Sequence, residues 1–570
     1  MRRGLWNPGT ERGDAGASAW SDGSHGGEHP GRHKYVVDEA MIARHAGATQ
    51  VAPMLAKVLQ MARIPAGAVD PEGCGGAYWR DMPVSVDLVL ANRAYLDHES
   101  PRWADSPSTA GSGGLLAAVR PIISPWDGTR GTTWIGAGLG RYDREWTDAR
   151  GFEILETSRG PVRHRRLYFG SSTWSGHYAE VSNSFLWPLV HLVREDLPKV
   201  TGYYPAPAEP GTGDWASYVA VNTAFAEAAA EEGTARTAWV HDYQLSLVPR
   251  LLRERGFRGR IGFFLHTPFP SLEVAQPYLR GRSGECFWEV VRGMLGADVA
   301  GFQSLHDLAR FVAAATRLPG VTLERGGVRV DGRFVRCGSY PVGIDIDDVL
   351  TVAKSAPVPE RASTARAAGL PLVVGLERGD FTKGIPERLR ALVAAYRAGA
   401  RFAYVGIAAP TREGVRAYEA LEAVIEREGS RAQEAAFAAG CPFVNVRANV
   451  GWRDVVALQR EADVVFTSSL ADGQNLVPLQ AAIAQSVRPP GERGVIITGR
   501  DAGVASAYAG FEADGLAVVD PLDEVAMVGA LGAALEARPG RISDRLIGAV
   551  KGRDALAWAT NFLRDLEDAC

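Results

Sequence analysis

A basic pair lies in the segment Arg378-Gly-Asp-Phe-Thr-Lys-Gly384, in which Arg378 and Lys383 stand five positions apart. The segment follows an apolar run that predicts a buried strand, and it precedes a predicted helix. A guanidinium and an ammonium group beside the free N–H groups of a helix N-terminus attract phosphate oxygens. The spacing therefore predicts a clamp for a diphosphate, and these residues alone leave a solvated charged turn as the alternative.

Three other polar residues, Asp242, His266 and Asp472, also follow apolar runs. Asp472 could accept hydrogen bonds from sugar hydroxyls, while the N–H groups of the helix start behind it meet phosphate oxygens. Each residue alone would more often be structural, because buried polar groups also need hydrogen-bond partners. Four such junctions together favour a binding site.

Short apolar runs predict the strands that must position these residues. The runs cover residues 84–90, 237–240, 261–265, 372–376, 402–407, 464–466, 495–497 and 516–519. Helical spacing fills the gaps, as in the stripe Leu389, Leu392, Val393 and Tyr396 that follows Pro386. Apolar strands that alternate with helices indicate parallel sheets. We therefore predict an α/β fold with two facing Rossmann-like, doubly wound parallel sheets and an active site in the cleft between them.

Composition divides the chain further. Residues 1–35 are rich in Gly, Ser, Asp and His, which predicts a disordered tail. Residues 351–369 have the composition of a linker. The predicted segments are the tail 1–35, an extension of unknown role 36–80, a first Rossmann-like domain 81–350, a second 351–545, and a C-terminal helix 546–570 that packs back on the first domain.

Charge and cysteine content exclude several classes of protein. The 570 residues carry a formal net charge of -4, so nucleic acid and anionic membranes are not expected partners. The five cysteines form no C-x-x-C pair, which indicates reduced thiols. No apolar run reaches 18 residues, and residues 1–24 lack the apolar centre of a secretory signal, so we expect a cytoplasmic protein. The sequence leaves the oligomeric state open, including a homo-oligomer.

Six motifs in order resemble the trehalose-6-phosphate synthase family of retaining glycosyltransferases, from about residue 84 to residue 563. The motifs are Trp239-Val-His-Asp-Tyr-Gln244, Gly262-Phe-Phe-Leu-His-Thr-Pro-Phe-Pro270, Leu295-Gly-Ala-Asp-Val-Ala-Gly-Phe-Gln303, Tyr340-Pro-Val-Gly-Ile344, Arg378-Gly-Asp-Phe-Thr-Lys-Gly384 and Asp472-Gly-Gln-Asn-Leu-Val477. The resemblance implies the two-domain GT-B architecture. It also implies an acceptor site in the first domain and a nucleotide-sugar site in the second.

The resemblance assigns roles to individual residues. Those implied for the nucleotide-diphosphate sugar donor are Gly113, Gly114, His266, Arg378, Lys383, Asp472, Asn475, Leu476, Val477 and Gln480. Those implied for the sugar-phosphate acceptor are Arg93, Trp134, Tyr178, Trp187, Asp242 and Arg412. Two guanidinium groups suit a dianionic phosphate better than a neutral sugar. The implied catalytic groups are Arg378, Lys383, Asp242 and His266.

The implied reaction is glucosyl transfer to glucose-6-phosphate by front-face attack, in which the leaving phosphate takes the acceptor proton. Arg378 and Lys383 would stabilise the charge of the leaving group. We expect no cofactor and no metal, because no D-x-D motif follows a strand at the donor site. A dehydrogenase is the rival enzyme class, but no strand is followed by G-x-G-x-x-G with an acidic residue about 20 positions on.

Two positions depart from the family pattern. Gln480 stands where the family has a glutamate that binds both ribose hydroxyls, and Ala471 replaces an arginine. An amide accepts hydrogen bonds only through its single oxygen, so the ribose contact should weaken or change. The alternatives are a pseudo-glycosyltransferase that joins a nucleotide-activated cyclitol to an amino-cyclitol phosphate, a glucosylglycerol-phosphate synthase, and a non-catalytic paralogue.

Overall fold

The computed structural model describes residues 85–569, except residues 103–108, 111–113, 158, 413–414, 416 and 538–539. The predicted tail, the predicted extension and Gly113 lie outside the described residues. The strands are β1 (Leu88–Arg93), β2 (Leu96–Asp97), β3 (Thr109–Ala110), β4 (Thr133–Ala137), β5 (Phe152–Leu155), β6 (Val162–Leu167), β7 (Thr237–His241), β8 (Arg260–Phe264), β9 (Val299–Phe302), β10 (Val321–Glu324), β11 (Gly327–Val330), β12 (Arg333–Ser339), β13 (Leu372–Arg378), β14 (Ala403–Ala409), β15 (Phe443–Val446), β16 (Val464–Phe466), β17 (Val495–Gly499) and β18 (Leu516–Val519).

Two sheets organise these strands. The first has the order β10-β11-β12-β9-β8-β7-β1-β4-β6-β5 and is parallel from β12 to β6, with antiparallel strands at both edges. The second has the order β15-β14-β13-β16-β17-β18 and is parallel throughout. Strands β2 and β3 form a separate antiparallel pair. The predicted α/β class with two doubly wound sheets is confirmed.

Helices fill the connections between the strands. The α-helices are Gly114–Val119, Asp143–Trp146, Ser171–Ser175, Trp187–Val190, Leu197–Thr201, Thr212–Ala230, Val248–Glu254, Leu272–Ala275, Gly281–Met294, Leu305–Ala315, Ile346–Ser355, Glu360–Ala367, Ile385–Arg397, Ala417–Ala438, Trp452–Glu461, Val477–Gln485, Gly503–Ala507, Glu524–Leu535, Asp544–Lys551 and Ala555–Glu567. Short 3-10 turns connect several of them, and residues Gly176–Leu186 form a π-helix. Within the described part of the chain, no helix is both long and apolar enough to cross a membrane.

Each predicted apolar run overlaps an observed strand, but the prediction of a linker over 351–369 is wrong for most of its length. The helices Ile346–Ser355 and Glu360–Ala367 occupy that stretch. Asp345 caps the first helix by accepting a hydrogen bond from the N–H of Asp348 at 3.2 Å. Alanines in the stretch favour helix, and Ala362 and Ala365 are buried against the second sheet.

Strand β6, which none of the predicted apolar runs covers, is rich in charged residues. These side chains can be buried because they pair with other charged groups inside the first domain. Glu153 accepts hydrogen bonds from the Arg166 Nε at 2.6 Å and lies 2.9 Å from His164 Nδ1 and 2.8 Å from His98 Nε2. Burial opposes the charge on Glu153, but its bonds to His164, His98 and Arg166 lower its pKa to about 2. A strand that buries arginine and histidine cannot be recognised by apolar alternation.

The C-terminal helix Ala555–Glu567 packs on the first sheet. The ring centroid of Trp239 lies 5.0 Å from that of Trp558 and 4.7 Å from that of Phe562. Strands β8 and β9 present glycines to this helix, because a Cβ at Gly262 or Gly301 would lie 2.6 or 2.7 Å from the Phe562 ring. The last helix therefore completes the core beneath the carboxyl ends of β7 and β8.

We expect Trp558→Ala to destabilise the protein by about 3 to 5 kcal/mol, because it leaves a large cavity beneath the first sheet. The indole is 3% exposed, whereas Leu556 on the same helix is 38% exposed. Leu556→Ala is therefore the matched control, with an expected change within about 0.5 kcal/mol. Thermal unfolding followed by circular dichroism measures both. Equal unfolding temperatures for the two variants would contradict this packing account.

Candidate active site

Polar side chains from both domains meet at the carboxyl ends of the parallel strands. Trp187 Nε1 of the first domain donates to Asp380 Oδ1 of the second at 3.2 Å. Arg412 Nε of the second domain donates to Asn183 Oδ1 of the first at 2.7 Å. Because parallel strands direct their carboxyl ends to one edge, this cleft gathers the loops that follow them.

The basic pair of the clamp differs in what its members contact. Lys383 forms an ion pair with Asp472, whose carboxylate also accepts a hydrogen bond from Ser469 Oγ at 3.1 Å. Arg378 ends β13 with an exposed side chain, and its guanidinium forms no ion pair or hydrogen bond with the described residues. Of the two cations predicted to bind a diphosphate, Lys383 is therefore paired and Arg378 is open to the cleft.

Gly384 brings the clamp close to the loop that carries Asp472. Its φ is +58°, and a Cβ there would lie 2.1 Å from the backbone oxygen of Ser468. Only glycine fits this backbone geometry and this close approach. Ser468 Oγ also donates to the Gly384 oxygen at 2.9 Å. The glycine therefore holds Lys383 within reach of Asp472.

The loop Asp472–Val477 is tied down by its own asparagine. Asn475 has a φ of +59°, its Nδ2 donates to Ser469 Oγ at 3.0 Å, and its Oδ1 accepts the N–H of Val477 at 3.2 Å. The loop leads from Leu476 into the helix Val477–Gln485. Asn475 thus acts through its side chain inside the protein, while the backbone of the loop borders the cleft.

Gln480 has an internal partner. Its Oε1 accepts a hydrogen bond from Gln459 Nε2 at 3.3 Å. One lone pair of this oxygen is therefore used within the protein, while its second lone pair and the NH₂ group remain. Position 480 offers a neutral amide in this arrangement.

Asp242 and His266 form the third part of the site. Asp242 is in a strained conformation with a φ of +73° at the end of β7, and its Oδ1 accepts the backbone N–H of His266 at 3.2 Å. Burial raises the pKa of Asp242 to about 6. Burial also lowers the pKa of His266 to about 3. At neutral pH the site therefore presents a carboxylate and an uncharged imidazole.

Arg412 lies deep in the cleft with a φ of +48°. Its guanidinium carbon is 3.6 Å from the centroid of the Trp187 ring, and it forms an ion pair with Asp380. Burial opposes the charge on Asp380, but Arg412 holds the pKa of this carboxyl at about 2. The predicted residues Arg412 and Trp187 are thus brought together, with Asp380 as a partner that sequence reasoning missed.

Arg93 and Tyr178 face each other on the first domain, with 5.6 Å between the guanidinium carbon and the ring centroid.

Trp134, predicted as an acceptor contact, lies in the core of the first domain. Its side chain is in the core at 2% exposure, and its Nε1 donates to the Arg93 oxygen at 3.0 Å. Trp134 therefore supports the backbone of Arg93 and has almost no surface for a ligand.

The π-helix Gly176–Leu186 carries Tyr178 and Asn183 and leads directly into Trp187. Asn183 Nδ2 donates to the Tyr178 oxygen at 2.8 Å, which matches the wider turn. π-Helices are rare and frequently occur at functional sites. No periodicity in the sequence predicts this turn, so the contribution of Asn183 was missed.

Among the remaining predicted residues, Gly114 begins the helix Gly114–Val119, and Leu476 precedes the helix Val477–Gln485. The cleft is thus lined by Arg93, Tyr178, Asp242, His266, Arg378, Lys383, Arg412 and Asp472, while Trp134, Asn475 and Gln480 use their side chains partly or wholly for internal bonds.

Comparison with known proteins identifies the family of this chain. The pattern of glycosyltransferase family 20 matches residues 88–568. The alpha,alpha-trehalose-phosphate synthase (UDP-forming) A of Dictyostelium discoideum is 28% identical over 498 residues, which cover 85% of this chain and 62% of that protein. The trehalose-6-phosphate synthase of Mycolicibacterium smegmatis is 33% identical over 427 residues, covering 70% of this chain and 77% of that protein.

A solved structure is similar over the same region. The crystal structure of an alpha,alpha-trehalose-phosphate synthase (UDP-forming) from Burkholderia xenovorans in complex with glucose-6-phosphate superposes with a TM-score of 0.67 at 26% identity. The match covers 84% of this chain and all of that chain. The chain therefore belongs to glycosyltransferase family 20, the trehalose-6-phosphate synthase family, and is a GT-B glycosyltransferase.

Proposed function

We propose that this enzyme transfers a glucosyl group from a UDP-sugar to glucose-6-phosphate, with retention of configuration, and so makes α,α-trehalose-6-phosphate. The observation that carries the proposal is the presence of two separate cationic sites in one cleft. Arg378 and Lys383 form one, and Arg93 and Arg412 contribute to the other. The relatives named above are UDP-forming synthases of this product, which supports the choice of substrates.

The donor diphosphate would bind at Arg378 and Lys383. Lys383 is paired with Asp472 in the free enzyme, so a diphosphate that takes over the ammonium group would release the Asp472 carboxylate. Asp472 would then be available to accept hydrogen bonds from the hydroxyls of the donor sugar. One exchange of partners would thus make Lys383 available to the diphosphate and Asp472 available to the sugar of the same donor.

The phosphate of the acceptor would bind between Arg93, Tyr178 and Arg412. Arg412 cannot lose its proton, and Asp380 already neutralises part of its charge. A dianionic phosphate adds a stronger partner without leaving Asp380 unpaired, because Tyr418 OH also donates to Asp380 at 3.1 Å. This arrangement favours a phosphorylated acceptor over a neutral one.

Chemistry would proceed with both substrates held in one orientation. Asp242 would accept a hydrogen bond from an acceptor hydroxyl, which turns the attacking oxygen toward the anomeric carbon. As the bond to the leaving phosphate breaks, Arg378 and Lys383 would stabilise the growing negative charge. A phosphate oxygen would take the proton of the attacking hydroxyl on the same face, which retains the configuration.

A second candidate is the pseudo-glycosyltransferase reaction on a nucleotide-activated cyclitol. The observation that keeps it open is Gln480, a neutral amide whose oxygen also accepts from Gln459 Nε2. This changes the ribose contact but leaves the identity of the activated group open, because both kinds of donor carry the same nucleotide ribose.

Product analysis distinguishes these candidates. The enzyme is incubated with UDP-, GDP- and ADP-glucose, each with glucose-6-phosphate or with glucose, and the products are identified by mass spectrometry. We expect UDP release and a disaccharide phosphate only with glucose-6-phosphate. Equal use of glucose would contradict the acceptor site, and turnover of cyclitol substrates alone would favour the second candidate.

The clamp is tested by Arg378→Ala and Lys383→Ala. We expect each change to lower kcat by about 10² to 10³, because each removes a charged contact to the leaving group. Steady-state kinetics measures the loss, and circular dichroism checks the fold. Arg397→Ala is the control, because Arg397 is an exposed arginine on the helix that follows the clamp. Unchanged kcat in both clamp variants would refute the donor assignment.

Position 480 is tested by Gln480→Glu. One glutamate oxygen can still accept from Gln459 Nε2, and the other becomes free for the ribose hydroxyls. Because charged hydrogen bonds contribute about 1.5 to 3 kcal/mol against about 1 for neutral ones, the Kd for the UDP-sugar should fall about tenfold. Isothermal titration calorimetry measures this Kd, with glucose-6-phosphate binding as the internal control.

Weaker donor binding by the Gln480→Glu variant would mean that Gln480 is matched to the nucleotide that the enzyme uses, and it would contradict the expected gain in affinity. Absence of donor binding in both forms would instead indicate a non-catalytic paralogue.

A further inference from the structure

A pair of histidines lies at the bottom of the cleft. His241 Nδ1 and His266 Nε2 are 3.1 Å apart, and His241 is fully buried at the end of β7. Burial lowers the pKa of both side chains, that of His266 to about 3. Two neutral imidazoles can share only one hydrogen in this bond, so one ring donates and the other accepts.

His266 is the member of the pair that borders the cleft. Its backbone N–H is bound by Asp242, and a Cβ at Gly473 would lie 1.9 Å from its backbone oxygen. The residue is therefore enclosed between the acceptor-side carboxylate and the loop that carries Asp472. Its Nδ1 makes no hydrogen bond to any residue in the described ranges. The tautomer of His266 decides whether Nδ1 offers a hydrogen or a lone pair.

The surroundings of His241 favour one tautomer. Three buried nitrogen atoms in the cluster below the pair have no hydrogen-bond partner among the described residues: Trp239 Nε1, Trp558 Nε1 and His241 Nε2. The Trp239 ring centroid lies 4.6 Å from that of His241 and 5.0 Å from that of Trp558. The two indole nitrogens always carry hydrogen.

A hydrogen on His241 Nε2 would add a third unpaired N–H to this cluster of donors. An unpaired buried N–H costs its desolvation energy and would lie beside two like dipoles, whereas a bare nitrogen among donors is electrostatically favoured. The hydrogen of His241 therefore belongs on Nδ1, where it is donated to His266 Nε2. His266 must then carry its own hydrogen on Nδ1.

We infer that His241 is a positioning residue that makes His266 a fixed hydrogen-bond donor toward the donor sugar, and that this selects against sugars with an ammonium group at that point. An N–H group binds a hydroxyl oxygen, whereas an ammonium group has hydrogens and no acceptor. The inference rests on the proposed function for its substrate. It adds that the site accepts donor sugars that carry a neutral group at the position facing His266.

The tautomers are measured directly by NMR of the whole enzyme with ¹⁵N-labelled histidine, without any substrate. His241→Asn and His266→Asn assign the two sets of signals. We expect hydrogen on Nδ1 in both rings and a bare Nε2 on His241. Hydrogen on Nε2 of His241 or of His266 would overturn the inference.

The selection is measured with nucleotide sugars in which each hydroxyl is replaced in turn by an amine. For wild type we expect one position at which kcat/KM falls by at least about 100-fold on replacement by ammonium. His241→Leu cannot donate and should reduce this discrimination by about tenfold. His241→Asn can donate from its amide nitrogen and should keep it.

Trp558→Phe is the control, since it removes an indole N–H from the cluster and leaves the histidine pair in place. Equal discrimination in wild type and His241→Leu would refute the selection. A wild-type enzyme that turns over no nucleotide sugar would contradict the proposed function, while the NMR result would still decide the tautomer.

Discussion

Two cations of the cleft, Lys383 and Arg412, are held by carboxylates of the same cleft, and the rest of the site depends on this pairing. Lys383 pairs with Asp472, and the buried Arg412 pairs with Asp380. An unpaired charge at such depth would be costly, so these buried cations need carboxylate partners within the protein. Under the proposed function, a diphosphate that takes over Lys383 would release Asp472 toward the sugar hydroxyls. Charge balance and substrate recognition would then be carried by the same groups.

Backbone geometry keeps these pairs in place. Asp242, Arg412 and Asn475 all have positive φ values, and they lie on three separate loops at the cleft. Strain of this kind persists only where the surrounding structure enforces it. The parallel strands beneath the loops and the C-terminal helix behind β7 and β8 supply that support. The strands fix the distances between the charged residues, and the short strained loops fix the orientation of their side chains.

The sequence predicted the two-sheet fold and the junctions that carry the site, because buried parallel strands are apolar and their polar ends stand out. It failed where the structure buries charge or departs from regular turns. Strand β6 was missed because its charged side chains have internal partners: Arg166 and His164 pair with Glu153, and Arg165 pairs with Glu231. Asn183 was missed because a π-helix has no signature in the spacing of residues. Trp134 was assigned to the acceptor, yet it is a core residue behind Arg93. Its residue type permits both roles, and only burial separates them.

The diphosphate of the donor should replace Asp472 as the partner of Lys383. A crystal structure of the enzyme with UDP and glucose-6-phosphate tests this exchange most directly. We expect Lys383 Nζ to leave Asp472 for an oxygen of the diphosphate, and the sugar phosphate to lie against Arg93 and Arg412. A complex in which Lys383 stays bound to Asp472 while both phosphates occupy other parts of the cleft would contradict it.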